Sequence, residues 1–357
     1  MSTDADGSRA ERVRAVMLDE GFGLCGVCRA EPSGYGDFFG RWLAEGRHGE
    51  MGYLAEHADK RLDVRRLIPE DEGGPARAVV VVADGYEVGA EKDEGRRTKD
   101  EVRAGGRAAP STVRGRLARY AAGDDYHVVM KKRLHAAADR LRAMFRGEVF
   151  KACVDTAPLM EREHAARAGL GWIGKHTLLI HPRHGSYLFL GALVTSLDVA
   201  GDAKPSEDLS QMVSGGGGCG TCTRCIDACP TGCITPYSVD ASRCISYLTI
   251  EHRSDVSADL RGMMGDWLAG CDVCQEVCPW NGFDEAGAGG GDRERYRVPL
   301  PVRPAYRPRN VSFDVAAVEC WSAEDRASAL RGSALKRIKL PMWRRNAAIV
   351  AENAQAD

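Results

Sequence analysis

The sequence predicts an α/β domain, followed by a small cysteine-rich domain and a short helical tail. Strand-like segments such as "AVVVVA" (78–83) alternate with helical segments in the first half of the chain, which is typical of α/β domains. Nine of the 13 cysteines lie between residues 219 and 278, and residues 313–354 have the apolar spacing of helices. We expect domains at 1–205, 206–290 and 291–357, since glycine-rich segments lie near both boundaries.

Composition indicates a globular protein of the cytoplasm. The chain has 357 residues, of which 44% are hydrophobic and 28% are charged, and its formal net charge is −2. The N-terminal segment has no apolar signal core and no twin-arginine motif, and no apolar run approaches the roughly 20 residues of a membrane helix. Cysteines of a reducing compartment are more often metal ligands than disulfides. The near-zero charge neither favours nor excludes a polyanionic partner.

Each element of the α/β domain has a local signal. Helical spacing over 9–20 predicts the first helix, and the apolar segment "FGLCGVC" (22–28) predicts a buried strand. Asp124 or Asp125 is a suitable N-cap for a long helix that stops at Gly147, and "EVFKACV" (148–154) predicts the next strand.

Two short patterns in this domain resemble redox or cofactor motifs. Cys25 and Cys28 form a Cys-x2-Cys pair, but residues i and i+3 of a strand face opposite sides, so we favour core packing over a redox pair. Asp125-x-His127 is similar to the Asp-x-His-x-x-Gly loop that ligates cobalt in some corrinoid enzymes. Position 130 is Met where that loop has Gly, so we expect no such ligation.

The first cysteine motif reads Cys-x2-Cys-x2-Cys-x3-Cys-Pro and runs from Cys219 to Pro230. This spacing is typical of bacterial ferredoxins, in which the fourth cysteine ligates the neighbouring 4Fe-4S cluster. Zinc ribbons also use Cys-x2-Cys pairs, but a run of four ending in Cys-Pro favours an iron–sulfur cluster.

The second motif reads Cys-x2-Cys-x3-Cys-Pro from Cys271 to Pro279 and lacks one cysteine, for which Cys244 is the natural replacement. The same crossing of ligands then predicts two complete 4Fe-4S clusters. The first would be held by Cys219, Cys222, Cys225 and Cys278. The second would be held by Cys229, Cys244, Cys271 and Cys274. Cys233 is left over, and we expect it to be a small packed residue.

Asp155 stands where a predicted strand ends and a predicted helix (158–168) begins. By position alone the favoured interpretation is an ordinary helix N-cap. The alternative is a functional carboxyl at the end of a strand, where the sites of α/β domains are built. The following Gly-x-Gly-x-x-Gly pattern (169–174) ends a helix, so it is weak support for a dinucleotide site.

Taken together, these motifs resemble the epoxyqueuosine reductase family, the cobalamin-dependent iron–sulfur enzymes of tRNA queuosine biosynthesis. The matching segments occur in one order over nearly the whole chain. They are "HGEMGYL", "RYAAGDDYH", "VDTAPLMERE", "AGLGWIGKHTLLI", "GSYLFLG", "CGTCTRCIDACPTG", "RCISYLTIE" and "CDVCQEVCPWN". The resemblance implies a reductive-dehalogenase-like α/β domain that binds base-off cobalamin, a ferredoxin-like domain with two 4Fe-4S clusters, and a helical-repeat tail.

The resemblance also implies the roles of individual residues. Asp155 would be the catalytic proton donor and would contact the cofactor, which replaces the N-cap interpretation. Burial against the corrin would raise its pKa enough to hold a proton. Further cofactor contacts would be made by Arg61, Lys175, His176, Gly185 and Ser186. Ser246 and Tyr247 would lie between the clusters and the active site and would contact either the cofactor or the RNA.

The implied reaction is the reduction of epoxyqueuosine to queuosine at the wobble position of a tRNA with a GUN-type anticodon. Electrons from a flavodoxin-like or ferredoxin-like donor would pass through the clusters to cobalamin, and the protein is expected to be a monomer. From residue 293 onward, 13 Lys and Arg face 7 Asp and Glu, which favours phosphate contacts over a merely solvated surface once the family is considered. These cations include Arg303, Arg307, Arg309, Lys336, Arg337, Lys339, Arg344 and Arg345.

The chain departs from the family pattern at several places. His176 replaces the usual Asn, Cys233 replaces the usual Ala, and segment 88–112 is an unusual insertion. Two other functions remain as alternatives. One is a corrinoid-dependent small-molecule reductase similar to reductive dehalogenases, and the other is a plain electron-transfer protein that binds no cobalamin.

Overall fold

The computed structural model describes residues 7–86, 113–201, 218–281 and 300–356. The segment 88–112, which we expected to be an insertion, lies outside the described residues. Within the described ranges, no helix has both the length and the apolar character that crossing a bilayer requires.

The elements follow in chain order. The α-helices are α1 (Arg9–Asp19), α2 (Gly36–Ala44), α3 (Tyr53–Glu56), α4 (Ala58–Leu62), α5 (Tyr126–Met144), α6 (Glu161–Arg167), α7 (Arg224–Asp227), α8 (Ile245–Ile250), α9 (Ala258–Arg261), α10 (Val273–Glu276), α11 (Val315–Cys320), α12 (Ala323–Ala329) and α13 (Leu340–Ala356). The strands are β1 (Leu24–Arg29), β2 (Ala78–Gly85), β3 (Arg114–Leu117), β4 (Phe150–Val154), β5 (Trp172–Ile173), β6 (Leu179–Ile180), β7 (Leu188–Thr195), β8 (Ile234–Thr235), β9 (Ser238–Val239), β10 (Trp267–Ala269) and β11 (Ser312–Asp314).

A four-stranded sheet with the order β1-β2-β7-β4 forms the centre of the N-terminal region, and each pair in it is antiparallel. Helices α1 and α5 pack on one face, and α6 with residues 64–68 packs on the other. Strand β2 is buried along its whole length because it is central and both faces are covered. The predicted combination of strands and helices is therefore confirmed, with antiparallel pairing.

The two cysteines of β1 lie on opposite faces of this sheet. Cys25 packs against the core that includes α1 and α5, whereas Cys28 belongs to the core under α6. The predicted core packing of both thiols is confirmed, because strand geometry separates residues i and i+3.

The segment after β4 differs from the expected helix. Helix α6 begins at Glu161, three residues later than predicted, and its N-cap is Met160 without a side-chain cap bond. Asp155 therefore does not cap this helix, and its carboxyl group is available for another role.

The three expected domains each contribute a strand to one three-stranded sheet. Strand β3 of the first pairs in parallel with β10 of the second and antiparallel with β11 of the third. Beneath this sheet, Leu117, Leu268 and Trp343 belong to one hydrophobic core. The described residues thus pack across all three expected domains, and the boundaries at 205 and 290 remain predictions.

The tail begins with a proline-rich segment (300–310) that crosses the N-terminal region. The buried carboxylate of Asp84, which is only 3% exposed, binds this segment to the N-terminal region. This carboxylate accepts hydrogen bonds from the Arg133 side chain, from the Tyr306 hydroxyl at 3.1 Å and from the Gly23 backbone N–H at 3.1 Å. Asp84 therefore joins the sheet, the long helix α5 and the tail.

Replacing Asp84 with Ala should destabilise the protein by about 3–5 kcal/mol, since the largely buried Arg133 would lose its partner. Asp19→Ala is the matched control, because Asp19 is 69% exposed and its ion pair with Arg140 should contribute no more than about 1 kcal/mol. Urea unfolding of the cluster-loaded protein, followed by circular dichroism, measures both changes. Equal effects of the two variants would contradict the proposed role of Asp84.

Candidate active site and cluster cavities

The cysteines of the two motifs surround two neighbouring cavities. The first has a volume of about 200 Å³. Its cysteines are Cys219, Cys222, Cys225 and Cys278. Three of them come from the first motif, and Cys278 comes from the second. The second motif therefore contributes a thiol to a site that is formed mainly by the first.

The second cavity has a volume of about 340 Å³. Its cysteines are Cys229, Cys233, Cys244, Cys271 and Cys274. The two sets contain all eight predicted ligands, sorted as the crossing rule predicts, and Cys233 is an additional thiol at the second cavity. Four thiols around one cavity are a donor set that suits a 4Fe-4S cluster.

The second cavity continues from its thiols toward the ends of the central strands. There it is lined by aromatic and aliphatic side chains, including Tyr86, Tyr120, Leu188 and Leu190. Tyr86 lies 4.4 Å from Phe189 between ring centroids, and an aromatic layer continues to the start of α5. Tyr126, at the end of this layer, contacts Asp155, which is not itself among the residues that line the cavity.

At the far side of this layer, Asp155 forms a hydrogen-bonded chain with His127 and Asp125. The Nε2 atom of His127 is 3.3 Å from Asp155 Oδ2, and its Nδ1 atom is 2.8 Å from Asp125 Oδ1. The stacked ring of Tyr126 lies 3.9 Å from the imidazole between centroids. The Asp155 side chain is 55% exposed to water. Many protein atoms nevertheless lie within a few ångströms of its carboxyl group, as on the wall of an open cleft.

This arrangement places the proton on histidine. The hydrogen bond from His127 holds the pKa of Asp155 below its usual range, and burial opposes this effect without overcoming it. Burial alone would lower the pKa of His127, but its hydrogen bonds to Asp125 and Asp155 raise it to about 9. The pair is thus carboxylate and imidazolium, and the expectation that burial against the corrin would raise the pKa of Asp155 stays a prediction.

Glu161 is a second acidic group beside Asp155, and no sequence pattern singles it out. Burial, and then the charge of Asp155, raise the pKa of Glu161 to about 8. Arg61 and Arg162 lie close enough to oppose that rise. The "MERE" segment offered no signal beyond an ordinary helix start, because the contact with Asp155 arises from the turn at 156–160.

Several buried polar atoms around the cleft have no hydrogen-bond partner among the described residues. They are Arg61 Nε, Glu161 Oε1 and His176 Nε2. The pKa of His176 is lowered to about 4 by burial, so the ring is neutral. Its Nδ1 accepts the Leu178 backbone N–H at 3.2 Å, which leaves Nε2 as an unused donor in the wall between the two cavities. An apolar wall bordered by unused polar atoms fits a large ligand with amide groups, such as cobalamin.

Three other residues that were predicted to contact the cofactor make contacts with protein residues. Lys175 donates its Nζ protons to the carbonyl oxygens of Gly220 at 2.8 Å and Cys222 at 2.9 Å, so it holds the loop of the first cavity. Gly185 has a φ of +72° and packs tightly against Asn281, where a side chain would collide. Ser186 lines the second cavity, and its hydroxyl donates to Gln275 Oε1 at 2.9 Å.

The neighbours Ser246 and Tyr247 lie in different places: one lines the second cavity and the other does not. Ser246 lines the second cavity, in agreement with the expected cofactor contact. Tyr247 is not among its lining residues and is buried elsewhere, where its hydroxyl accepts the Glu50 backbone N–H at 2.6 Å. This tyrosine attaches the segment 46–52 to the cysteine-rich region, so its placement differs from a direct cofactor contact.

Most cations of the tail take part in internal contacts. Arg309 pairs with Asp124 at 3.0 Å, and Arg337 pairs with Glu251. Backbone oxygens of the protein accept hydrogen bonds from the side chains of Arg303, Arg344 and Arg345. Among the described residues, Arg307, Lys336 and Lys339 form no such hydrogen bond or ion pair through their side chains. The tail therefore offers fewer cations to a partner than its composition indicates.

Comparison with known proteins agrees with this architecture. Residues 218–281 match the family model of the 4Fe-4S double cluster binding domain, and residues 61–156 match the model "Epoxyqueuosine reductase QueG, DUF1730". The chain thus contains a double-cluster domain in the region of the two cavities.

Curated relatives match nearly the whole chain. The epoxyqueuosine reductase of Xanthomonas campestris pv. campestris is 38% identical over 349 residues, covering 97% of this chain and 87% of that protein. The one of Burkholderia pseudomallei is 36% identical over 348 residues, covering 97% and 81%. A solved epoxyqueuosine reductase with a tRNA-Tyr epoxyqueuosine-modified stem loop has the same fold, with a TM-score of 0.72 at 24% identity, covering 96% and 80% of the two chains. On the strength of the full-length relatives, this chain belongs to the epoxyqueuosine reductase family.

Proposed function

We propose that this protein reduces epoxyqueuosine to queuosine at the wobble position of a tRNA anticodon loop. The observation that carries the proposal is the His127–Asp155 pair, which lies across an aromatic layer from a cavity lined by five cysteines. Relatives at 36–38% identity bear the name of this activity, and a structural neighbour binds an epoxyqueuosine-modified stem loop.

Two 4Fe-4S clusters would be held by the two sets of cysteines. The first cluster would take Cys219, Cys222, Cys225 and Cys278. The second would take Cys229, Cys244, Cys271 and Cys274. Support comes from the grouping of each set around one cavity. The loop of the first cavity is exposed at Gly220 and Thr221, so electrons from a donor of the flavodoxin or ferredoxin class would enter there.

Cobalamin would lie in the cleft between the second set of cysteines and Asp155. Tyr86, Tyr120 and Leu188 would form its apolar wall, while Ser246 and the Nε2–H of His176 would offer polar contacts. When bound, cobalamin supplies a strongly reducing cobalt centre for cleavage of the epoxide.

Residues of the cleft would supply a proton to the oxygen of the epoxide. Conversion of an epoxide to an alkene and water takes two electrons and two protons, and the first proton must reach the oxygen as its bond to carbon breaks. Asp155 is positioned at the cleft, and the proton on His127 can pass to it across the 3.3 Å hydrogen bond. The neutral carboxyl of Glu161 keeps a second negative charge away from Asp155.

The substrate base must leave the stacked anticodon loop to enter the cleft, as enzymes that modify a nucleobase require. Arg307, Lys336 and Lys339 would contact phosphates, since no other residue that the structure describes pairs with their side chains. Lys336 lies close enough to Asp125 to affect its charge, which places this cation near the proton-holding pair.

The assignment of ligands predicts the effect of single cysteine replacements. Cys278→Ala should remove one of the two clusters, and the remaining cluster should have the electron paramagnetic resonance spectrum found in Cys225→Ala. If each motif held its own cluster, Cys278→Ala would instead match Cys271→Ala. Cys320→Ala is the control and should retain both clusters, because Cys320 is exposed in α11, outside the cysteine motifs.

The function itself is tested with the reduced, cluster-loaded protein. Epoxyqueuosine-containing tRNA is incubated with it in the presence and absence of cobalamin, and the nucleosides are analysed by mass spectrometry. We expect queuosine only with cobalamin. Intact clusters and bound cobalamin without conversion would contradict the proposal and favour a small-molecule substrate.

A further inference from the structure

We propose that Cys233 is a reserve ligand of the second cluster, able to replace Cys229 at the same iron. The inference rests on the proposed assignment of cysteines to the two clusters. It concerns a residue that the eight-ligand count leaves without a role and that the sequence analysis expected to be merely packed.

The first support is the position of the Cys233 thiol. Cys233 is 5% exposed, and its Sγ lies 3.5 Å from the Sγ of Cys229. It lines the same cavity as Cys244, Cys271 and Cys274. The second cavity therefore has five thiols for a cluster that takes four.

Two thiols of the second set lie within hydrogen-bond reach of Cys233, those of Cys229 and Cys244. Each iron of the cube takes one cysteine thiolate, and the four irons occupy different corners. Two sulfur atoms at 3.5 Å are almost in contact, so both cannot serve different irons without moving apart. Cys233 is thus an alternative to a neighbouring thiol for one corner, and the short turn that joins it to Cys229 favours Cys229 over Cys244 as that neighbour.

The backbone holds the two thiols together. The Gly232 N–H donates to the Cys229 carbonyl oxygen at 3.0 Å, and the φ of +58° at Gly232 completes this turn. The Asp240 N–H donates to the Cys233 carbonyl oxygen at 2.9 Å, which ties Cys233 to the β8–β9 hairpin. A change of side-chain rotamer, without rebuilding of the loop, can therefore exchange the two ligands.

The exchange of ligands conserves atoms, protons and electrons, so it needs no oxidant or reductant. The bond between iron and the Cys229 sulfur breaks, and a bond between the same iron and the Cys233 sulfur forms. The proton of the Cys233 thiol moves to the released Cys229 sulfur, so no electron is gained or lost. A cluster damaged at this corner can thus keep four thiolate ligands.

Mössbauer spectroscopy of the iron-57-loaded full-length protein counts four-iron clusters and distinguishes them from three-iron clusters. We expect two four-iron clusters in Cys229→Ala and two in Cys233→Ala. The double variant should have one, and so should Cys274→Ala, which serves as the matched control. The reduced Cys229→Ala protein should also differ from the unmodified protein in its electron paramagnetic resonance spectrum, because the ligand has changed its position.

A single four-iron cluster in Cys229→Ala, with or without a three-iron remnant, would overturn the inference and leave Cys233 as a packed residue. So would two clusters in the double variant. Two clusters in Cys274→Ala would instead show that the ligand assignment of the second cluster is wrong. Circular dichroism and the spectrum of the first cluster verify folding, and Cys229→Ser, with its own Cys233→Ala partner, replaces a variant that fails to fold.

Discussion

Replacing Asp155 with Asn should lower the rate of epoxyqueuosine reduction by about 10²–10⁴-fold, which is the usual contribution of a positioned proton donor. Asparagine keeps the size of the side chain and a hydrogen-bond acceptor for His127, but it cannot pass a proton to the substrate oxygen. Both clusters should remain, because Asp155 is remote in the chain from the cysteine motifs. The rate is measured as queuosine formed in tRNA by the reduced, cobalamin-loaded protein.

The matched control is Asp139→Asn on the exposed side of α5. Asp139 is 76% exposed, and its partner among the described residues is Arg142 in the same helix, so its replacement should leave the rate unchanged. Cobalamin binding, followed by its visible absorption, separates loss of the proton donor from loss of the cofactor. An Asp155→Asn protein that binds cobalamin and reacts at the unmodified rate would refute this role.

The cluster region was largely predictable because its chemistry is local. A 4Fe-4S cluster requires thiolates at close spacings along the chain, so the pattern from Cys219 to Cys229 predicts, without any knowledge of the fold, the double-cluster domain that the family model matches at 218–281. The crossing of Cys278 into the first cavity followed from the same rule. Strand β2 and helix α5 were also predictable, since both are long and have a strong apolar pattern.

The proton-holding pair was not predictable, because its members are 28 residues apart and meet only through packing. His127 attracted notice as part of a failed cobalt-ligation pattern, and Asp155 was first interpreted as an N-cap. Nothing local to either residue indicates that the start of α5 lies beside the end of β4. The fold supplies that contact, and with it the lowered pKa of Asp155 and the raised pKa of His127.

The same limitation applies to the domain boundaries and the tail. Composition separates the chain at glycine-rich segments, yet β3, β10 and β11 from the three expected domains form one sheet. A count of cations likewise does not show which of them have internal partners. Arg345, for example, uses its guanidinium group on the carbonyl oxygens of Leu248, His252 and Ser254.

The pH dependence of the reaction should report the proton on His127. Because the pKa of His127 is raised to about 9, the pair keeps its proton through neutral pH and loses it as the pH rises through that value. The rate with bound substrate should therefore be nearly constant from pH 7 to 8 and fall at about pH 9. His127→Gln removes the protonated partner, so the fall should move to lower pH and the rate at pH 8 should drop about 10²-fold.

Asp125→Asn provides a graded comparison, because it retains His127 and removes one of the two carboxylates that hydrogen bond to its ring. The pKa of His127 should then lie between its present value and that of an ordinary histidine, and the fall in rate should shift by an intermediate amount. This order of the three proteins follows from electrostatics alone and does not depend on the absolute rate. An unchanged pH profile in His127→Gln would show that the proton reaches the substrate by another route, with the neutral carboxyl of Glu161 as the next group to replace.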